Sequence, residues 1–456
     1  MYTIVRKDWH IILLTCNSNC NEFNLIEKLN SIICYAEKKS IFIEFYIYDS
    51  SYYATDCHGN VRYINELSEQ GIALTFIKNG DENFFVFDGF DFSEIEKKCY
   101  QVMGFKRNYY FQDTINIKQF GYKKDYFRSR EFKLKTKQFF DNNKNSNYNF
   151  TILCQFEKIL IANNNSFSCD GRLFHKLIIS KENKAIQTFS SNNRTFVGEQ
   201  YDTYIPQITP VAENRKHKFG HILLSPSVSG IFIHEICGHM LENDFFTEKN
   251  PFFNLVGQNI CPSNICVYDN PNRLYKKIKH MDDEGNPLKK TPLIFKGKLV
   301  GLLGCRYSQT KYVKLPFANK ARRESYKYVP TGRSFCIDLT NSNCHKLNFS
   351  KLKNVLLIKE VFSSCFVSST NEIKCKSSEL YLLGDNNQQY KIDGTFSIRI
   401  KGLDFLRNII STYNDYTYHE NMCYSSSGHV STATYSPSIL LDNSSFLLKI
   451  RFLNLS

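Results

Sequence analysis

Two histidines and a glutamate in one short segment carry the strongest chemical signal in this sequence. The segment reads Ile231-Phe232-Ile233-His234-Glu235-Ile236-Cys237-Gly238-His239-Met240-Leu241-Glu242-Asn243-Asp244. Two imidazoles can hold a divalent cation, the cation acidifies water, and a neighbouring carboxylate can take the proton, which is what metal-assisted hydrolysis requires. The spacing is unusual. Zinc helices of the common type place their histidines four apart on one face. His234 and His239 are five apart, about 140° around and roughly 7.5 Å along an ideal α-helix. One ion reaches both only if the helix widens or bends, and a single wide turn of the kind found at functional sites would suffice. Gly238 weakens the regular helix where that distortion is wanted. Cys237 points away from the metal on any regular helix and is expected to pack. The plainer alternative makes both histidines half-buried helix residues with no ligand role.

The elements that must position this segment divide into two halves. The first alternates helices and strands. Asn21 to Ala36 places Ile26, Leu29, Ile33 and Ala36 on one helical face, and the strand-like Ile41 to Ile47 follows. Ser93 with Glu96 suggests a capping box for a helix through Met103 that buries Ile95, Cys99 and Val102. Asp141 to Asn149 reads as a polar loop between two units, before the strand-length segments Thr151 to Ala162 and Leu173 to Ser180. The second half has one strong helix, Ser229 to Glu242. Short strands follow, such as Thr291 to Leu303, Lys353 to Val361, Glu379 to Leu383 and Phe446 to Phe452, and Asp404 to Thr412 suggests a further short helix. The expected architecture is α+β: a mixed α/β domain over 1–205, then a β-rich domain over 206–456 carrying the metal helix.

Composition sets limits. At 456 residues, 42% hydrophobic and 15% aromatic, the chain can bury sizeable cores in two or three domains. The net charge of +14 comes from scattered Lys residues, with only short dense runs at Lys276-Lys277-Ile278-Lys279 and Lys320-Ala321-Arg322-Arg323. This reads as a solvated surface, and no recognisable nucleic-acid-binding module accompanies it, so no nucleic-acid partner is expected. Sixteen cysteines are spread from Cys16 to Cys423 without a Cys-x-x-Cys pair, which suits free thiols in a reducing cytosol. The apolar run Ile11 to Leu14 is a poor signal peptide, and no window approaches the roughly 18 apolar residues of a membrane helix. A cytoplasmic protein with no membrane association is the expectation.

Several motifs, in order, resemble those of the TldD/PmbA metallopeptidases. His234-Glu235-x-x-x-His239 with Leu241-Glu242-x-Asp244 resembles the family's signature helix. Asp282-Asp283-Glu284-Gly285-Asn286-Pro287 is similar to its acidic turn, and Arg322-Arg323-Glu324-Ser325-Tyr326 to its Arg-Arg-Glu-Ser-Tyr segment. Cys423, Pro437, Asp442 and Asn443 keep the register of its terminal stretch, and weaker similarity includes Gln70-Gly71-Ile72-Ala73 and the Pro226 to Gly230 approach. The chain departs from the family at Met422 and Tyr424, at Lys320 and Ala321, and at Ser363-Ser364-Cys365-Phe366-Val367-Ser368, where the family carries glycines.

The resemblance implies one zinc per chain bound by His234, His239 and Cys423, with Glu235 as catalytic base. It implies small or unfolded peptides as substrates, leader removal from a modified peptide among them. It also implies a homodimer or a heterodimer with a related subunit, of which this chain is the member keeping the metal motif. Zinc accepts a mixed nitrogen and sulfur shell, and three protein ligands leave a fourth position for water. Arg322 and Arg323 have two readings: contact with a peptide carboxylate or an acidic partner, or a structural ion pair with a residue such as Asp283 or Glu324. His429 could steady an oxyanion or replace a ligand, or be no more than a nearby loop histidine. The altered glycines leave a non-enzymatic scaffold subunit as the alternative function.

Overall fold

The computed structural model describes residues 3–5, 20–58, 61–104, 130–143, 148–181, 184–191, 211–212, 219–274, 281–311, 314–349, 352, 354–361, 363–377, 379–384, 389–392, 395–443 and 449–453. The expected boundary at 205/206 and the Lys276–Lys279 run lie outside these residues.

The first half is built on an antiparallel sheet. Its strand order is Thr3–Val5, Ser166–Lys181, Asn149–Asn163, Phe42–His58, Val61–Lys78 and Asp81–Asp88, with Lys184–Ser191 also paired to Ser166–Lys181. Strand alternation sends Ile43, Phe45 and Ile47 to one face and Glu44, Tyr46 and Tyr48 to the other. The first set packs with Leu29, Ile33 and Ala36 of helix Cys20–Lys38 and with Phe92, Ile95 and Cys99 of helix Phe92–Met103. Each fully buried Leu, Ile or Phe among them contributes about 1.5–3 kcal/mol. Of the second set, Tyr46 and Tyr48 meet Met281 and Tyr326 from the other half. Both faces are buried, which is why Phe42 to Tyr48 shows no simple apolar-polar alternation.

Two local expectations are corrected. The helix at 92 is capped by Asp91, whose carboxylate accepts from Ser93 N at 2.9 Å, and not by a Ser93–Glu96 box. Asp141 to Asn143 belong to helix Arg130–Asn143, and Asn149 already starts a strand. Phe132, Phe139 and Phe140 of that helix pack on Phe150, Ile152 and Leu177 of the sheet, so this stretch does not separate two units.

The second half has three main sheets around one helix. A six-stranded sheet runs Lys298–Leu299, Thr291–Phe295, Ile265–Asp269, Cys336–Asn341, Gly428–Ser436, Thr417–Ser425. A seven-stranded sheet includes His221–Leu224, Val355–Glu360, Glu379–Leu383 and Ile439–Asp442. A four-stranded sheet runs Ser363–Val367, Glu372–Ser377, Thr395–Lys401, Lys449–Leu453. The expected helix over Asp404 to Thr412 is shorter, Gly402–Arg407, and Ile409–Thr412 is a strand. Val228, Phe232, Ile233, Ile236, Cys237 and Met240 share one buried cluster with residues of all three sheets. The helix is thus enclosed by sheets, and its polar residues Ser229, His234, Glu235 and His239 are buried with it.

The acidic turn and the Arg-Arg-Glu-Ser-Tyr segment join the halves. Asp282 Oδ1 accepts from Glu284 N at 3.0 Å and Asn286 N at 2.8 Å, and Gly285 takes φ 80°, so the turn is organised by its first carboxylate. Its neighbour Asp283 pairs with Arg172 of the first sheet, while Glu44 receives both Arg306 and Arg323. Tyr326 donates its hydroxyl to Asp88 and lies against Gly71, where a Cβ would collide with the ring. Burial pushes the Asp282 carboxyl up to about 6 and that of Glu284 up to about 8.

Candidate metal centre

The metal helix begins at Ser225, whose hydroxyl accepts from Val228 N at 3.4 Å, with Pro226 in the first turn, where its missing N–H costs nothing. It is α-helical over Pro226–Ile233 and becomes a π-helix over His234–His239. The wide turn demanded by the five-residue spacing is therefore present. It brings the two imidazole centroids to 5.1 Å. Gly238 does more than loosen the helix, because a Cβ there would lie 2.9 Å from His234 Nδ1 and 3.2 Å from Ser334 Oγ. Gly238→Ala should push the His234 ring aside and weaken metal binding about tenfold or more, the loss typical of a disturbed ligand orientation. If Gly238 served only as a helix weakener, alanine would instead stabilise by about 1 kcal/mol and leave affinity intact. Metal titration with thermal unfolding separates the two.

Cys423 arrives from strand Thr417–Ser425, opposite Val430 in the hairpin with Gly428–Ser436. Its Sγ lies 3.1 Å from His239 Nε2, across 184 residues of sequence. One ligand atom each from His234, His239 and Cys423 all fall within 4.8 Å of one another. A single ion with bonds of roughly 2.0–2.3 Å draws donors together over this range. Burial alone would raise the Cys423 thiol, but His234 and His239 together pull it well below its ordinary value. Burial likewise disfavours a charged His239, and Glu242 and Cys423 reverse that and raise it well above the usual range. The buried His234 Nδ1 has no hydrogen-bond partner. A buried soft thiolate beside two imidazoles fits a zinc-type cation.

Glu235 is 5% exposed. Ser364 donates its hydroxyl to Glu235 Oε1 at 2.8 Å, while Oε2 has no partner. One carboxylate oxygen is thus held and the other is left available. Ser364 lies in the segment that departs from the family's glycines, and nothing in its residue type marks this contact. Glu242, 1% exposed, faces His239 Nδ1 at 3.2 Å. A carboxylate behind a metal-ligand imidazole fixes its tautomer and orientation, and a glutamate three residues after a candidate ligand histidine was a usable signal. Lys320, where the family has glycine, is buried and pairs with Asp269 at 2.8 Å. Cys237 is buried in packing, as expected, and burial pushes its thiol up.

Arg322 and Arg323 are each 2% exposed. Arg322 donates to Ser334 O at 2.7 Å and stacks on Phe335. Arg323 pairs with Glu44, donates to Asp283 O at 2.8 Å and lies over Tyr46 at 3.8 Å. Of their two readings, the structural one matches this geometry, since both arginines are buried and each donates to a backbone carbonyl within the chain. His429 is exposed, its ring lies tilted against Tyr424 at 4.7 Å, and its backbone N–H donates to Glu324 at 2.8 Å. All three line a small open cleft with Glu157, Arg172 and Met422. By strand alternation Met422 faces away from Cys423, so His429 is not brought to the three donors.

Comparison with known proteins bears on the family and the fold. Residues 218–447 match the PmbA/TldA metallopeptidase C-terminal domain. A Buchnera aphidicola protein named as a metalloprotease TldD homolog is 27% identical over 244 residues, 49% of this chain and 47% of that protein. The metalloprotease slr0863 of Synechocystis is 32% identical over 115 residues, 25% of each chain. The aligned stretches thus span about half and about a quarter of these relatives. The crystal structure of TldE from Thermococcus kodakarensis shares the fold, with a TM-score of 0.66 at 15% identity, covering 93% of this chain and 99% of that one. The chain belongs to the TldD/PmbA metallopeptidase family.

Proposed function

We propose that this chain is a zinc-dependent peptidase in which His234, His239 and Cys423 hold the ion and Glu235 is the catalytic base. The observation that carries this reading is the convergence of the three donors beside a buried carboxylate with one unpartnered oxygen. When bound, a zinc-type ion supplies Lewis-acid polarisation and acidifies water. Glu235 Oε2 takes a proton from the attacking water and delivers it to the leaving amine nitrogen. Ser364 keeps Oε1 occupied, so the carboxylate does not swing during that transfer.

Strand Ser363–Val367 is the edge of its sheet and packs beside the metal helix. An extended peptide added to that edge would be held by main-chain hydrogen bonds, which tolerate many side chains. Small or unfolded peptides, including leader segments of modified peptides, are the proposed substrates. The working assembly is a dimer, either of two copies or with a related subunit. The described cysteine side chains are free thiols, which supports a cytoplasmic setting. Among the described residues no helix is long and apolar enough to cross a membrane. The intact donor set and base disfavour a scaffold role.

The test is hydrolysis of unstructured peptides followed by mass spectrometry, with zinc, after chelation, and after zinc is restored. Cleavage that follows zinc through the cycle supports the reading. Cleavage indifferent to chelation, or none with zinc bound in either assembly, defeats it.

A further inference from the structure

Arg333 is one of the largest fully buried side chains in the protein, 1% exposed. Its Nη2 donates to Cys423 Sγ at 2.9 Å. Its Nη1 donates to Gly428 O at 2.6 Å and to Ser427 Oγ at 3.3 Å, at the tip of the hairpin that carries Cys423. Nε lies 3.9 Å from Glu242 Oε1, and neither atom has a hydrogen-bond partner. Glu242 in turn orients His239, and His239 returns to Cys423 at 3.1 Å. The four side chains close a ring, and Arg333 is the member that spans hairpin and metal helix.

We propose that Arg333 is a positioning residue for the metal centre, setting Cys423 and, through Glu242, His239 in ligating geometry. The proposal rests on the metal assignment above and adds a residue that assignment does not need. Cys423 sits on a hairpin at the edge of the six-stranded sheet, whose pairing fixes the face of the side chain but not the rotamer of Sγ. A planar guanidinium with donors at fixed angles satisfies the hairpin tip and the thiolate together, which a lysine ammonium on a flexible stem does not. Its backbone N–H, donated to Lys320 O at 2.8 Å, ties the same residue to the segment next to Arg322 and Arg323. The arginine therefore does not drift with the hairpin.

The experiment loads the metal-free full chain with Co²⁺ alone and reads affinity and the near-ultraviolet thiolate-to-cobalt charge-transfer absorption. Wild type should bind the ion with that absorption present. Arg333→Met should weaken binding roughly 10- to 100-fold, the range seen when groups supporting a ligand are removed, and should lose the absorption to the level of Cys423→Ser. Arg333→Lys keeps the charge and should share the spectral loss, so it serves if the methionine variant does not fold. Folded variants that keep both the absorption and affinity within about twofold of wild type would overturn the role of Arg333 alone. Wild type that takes up no cobalt would overturn the metal assignment and this proposal together.

Discussion

Glu235→Gln should leave bound metal unchanged and lower peptide turnover by about 10²- to 10⁴-fold, the contribution typical of a positioned general acid–base group. Glu235 is not one of the three converging donors, so its loss leaves the ligand set whole. The amide is nearly isosteric, and its oxygen can still accept from Ser364, so the local packing survives. What disappears is the proton acceptor at Oε2. The variant should therefore show wild-type metal content by elemental analysis and near-wild-type thermal stability beside a collapse of kcat. A variant with metal bound and full turnover would show that the proton goes elsewhere.

Cys423→Ser should have the opposite profile, with the defect in metal content first. About one zinc per chain is expected in wild type purified without added metal, and far less in the variant. A serine hydroxyl is a harder and far less acidic donor than a thiolate, and two imidazoles alone hold zinc poorly. The substitution also removes the anion that faces Arg333 and His239. Losing one partner of a buried charged pair costs about 3–5 kcal/mol, because the other remains buried. Apo stability should fall, and the rise in melting temperature that zinc gives wild type by mass action should vanish. An unaltered zinc-dependent rise in the variant would remove Cys423 from the ligand set.

What could be read in advance follows from how local each signal is. His234, Glu235 and His239 sit within six residues, so their types and spacing already pose the demand for a wide turn, and the π-helix answers it. Cys423 is one of sixteen cysteines and nothing local distinguishes it; only its register within the family's motifs does. Arg333 and Ser364 were illegible because their importance exists only after distant strands pair. The acidic turn and the Arg-Arg-Glu-Ser-Tyr segment were legible as motifs but not as a joint, since Glu44 and Arg172, their partners, lie in strands more than a hundred residues away. The Asp91 cap was missed because a nearby Ser93 offered an equally good local pattern.

The late position of Cys423 has a consequence for how the protein is made. A chain leaves the ribosome from its N-terminus and its domains fold in that order. The helix with both imidazoles and the carboxylate is therefore exposed to the cell long before the hairpin that brings the thiol. A chain stalled between residues 239 and 423 carries the base and two donors, but not the complete set under the assignment proposed for it. Under that assignment, translation withholds the complete donor set until residue 423 has emerged.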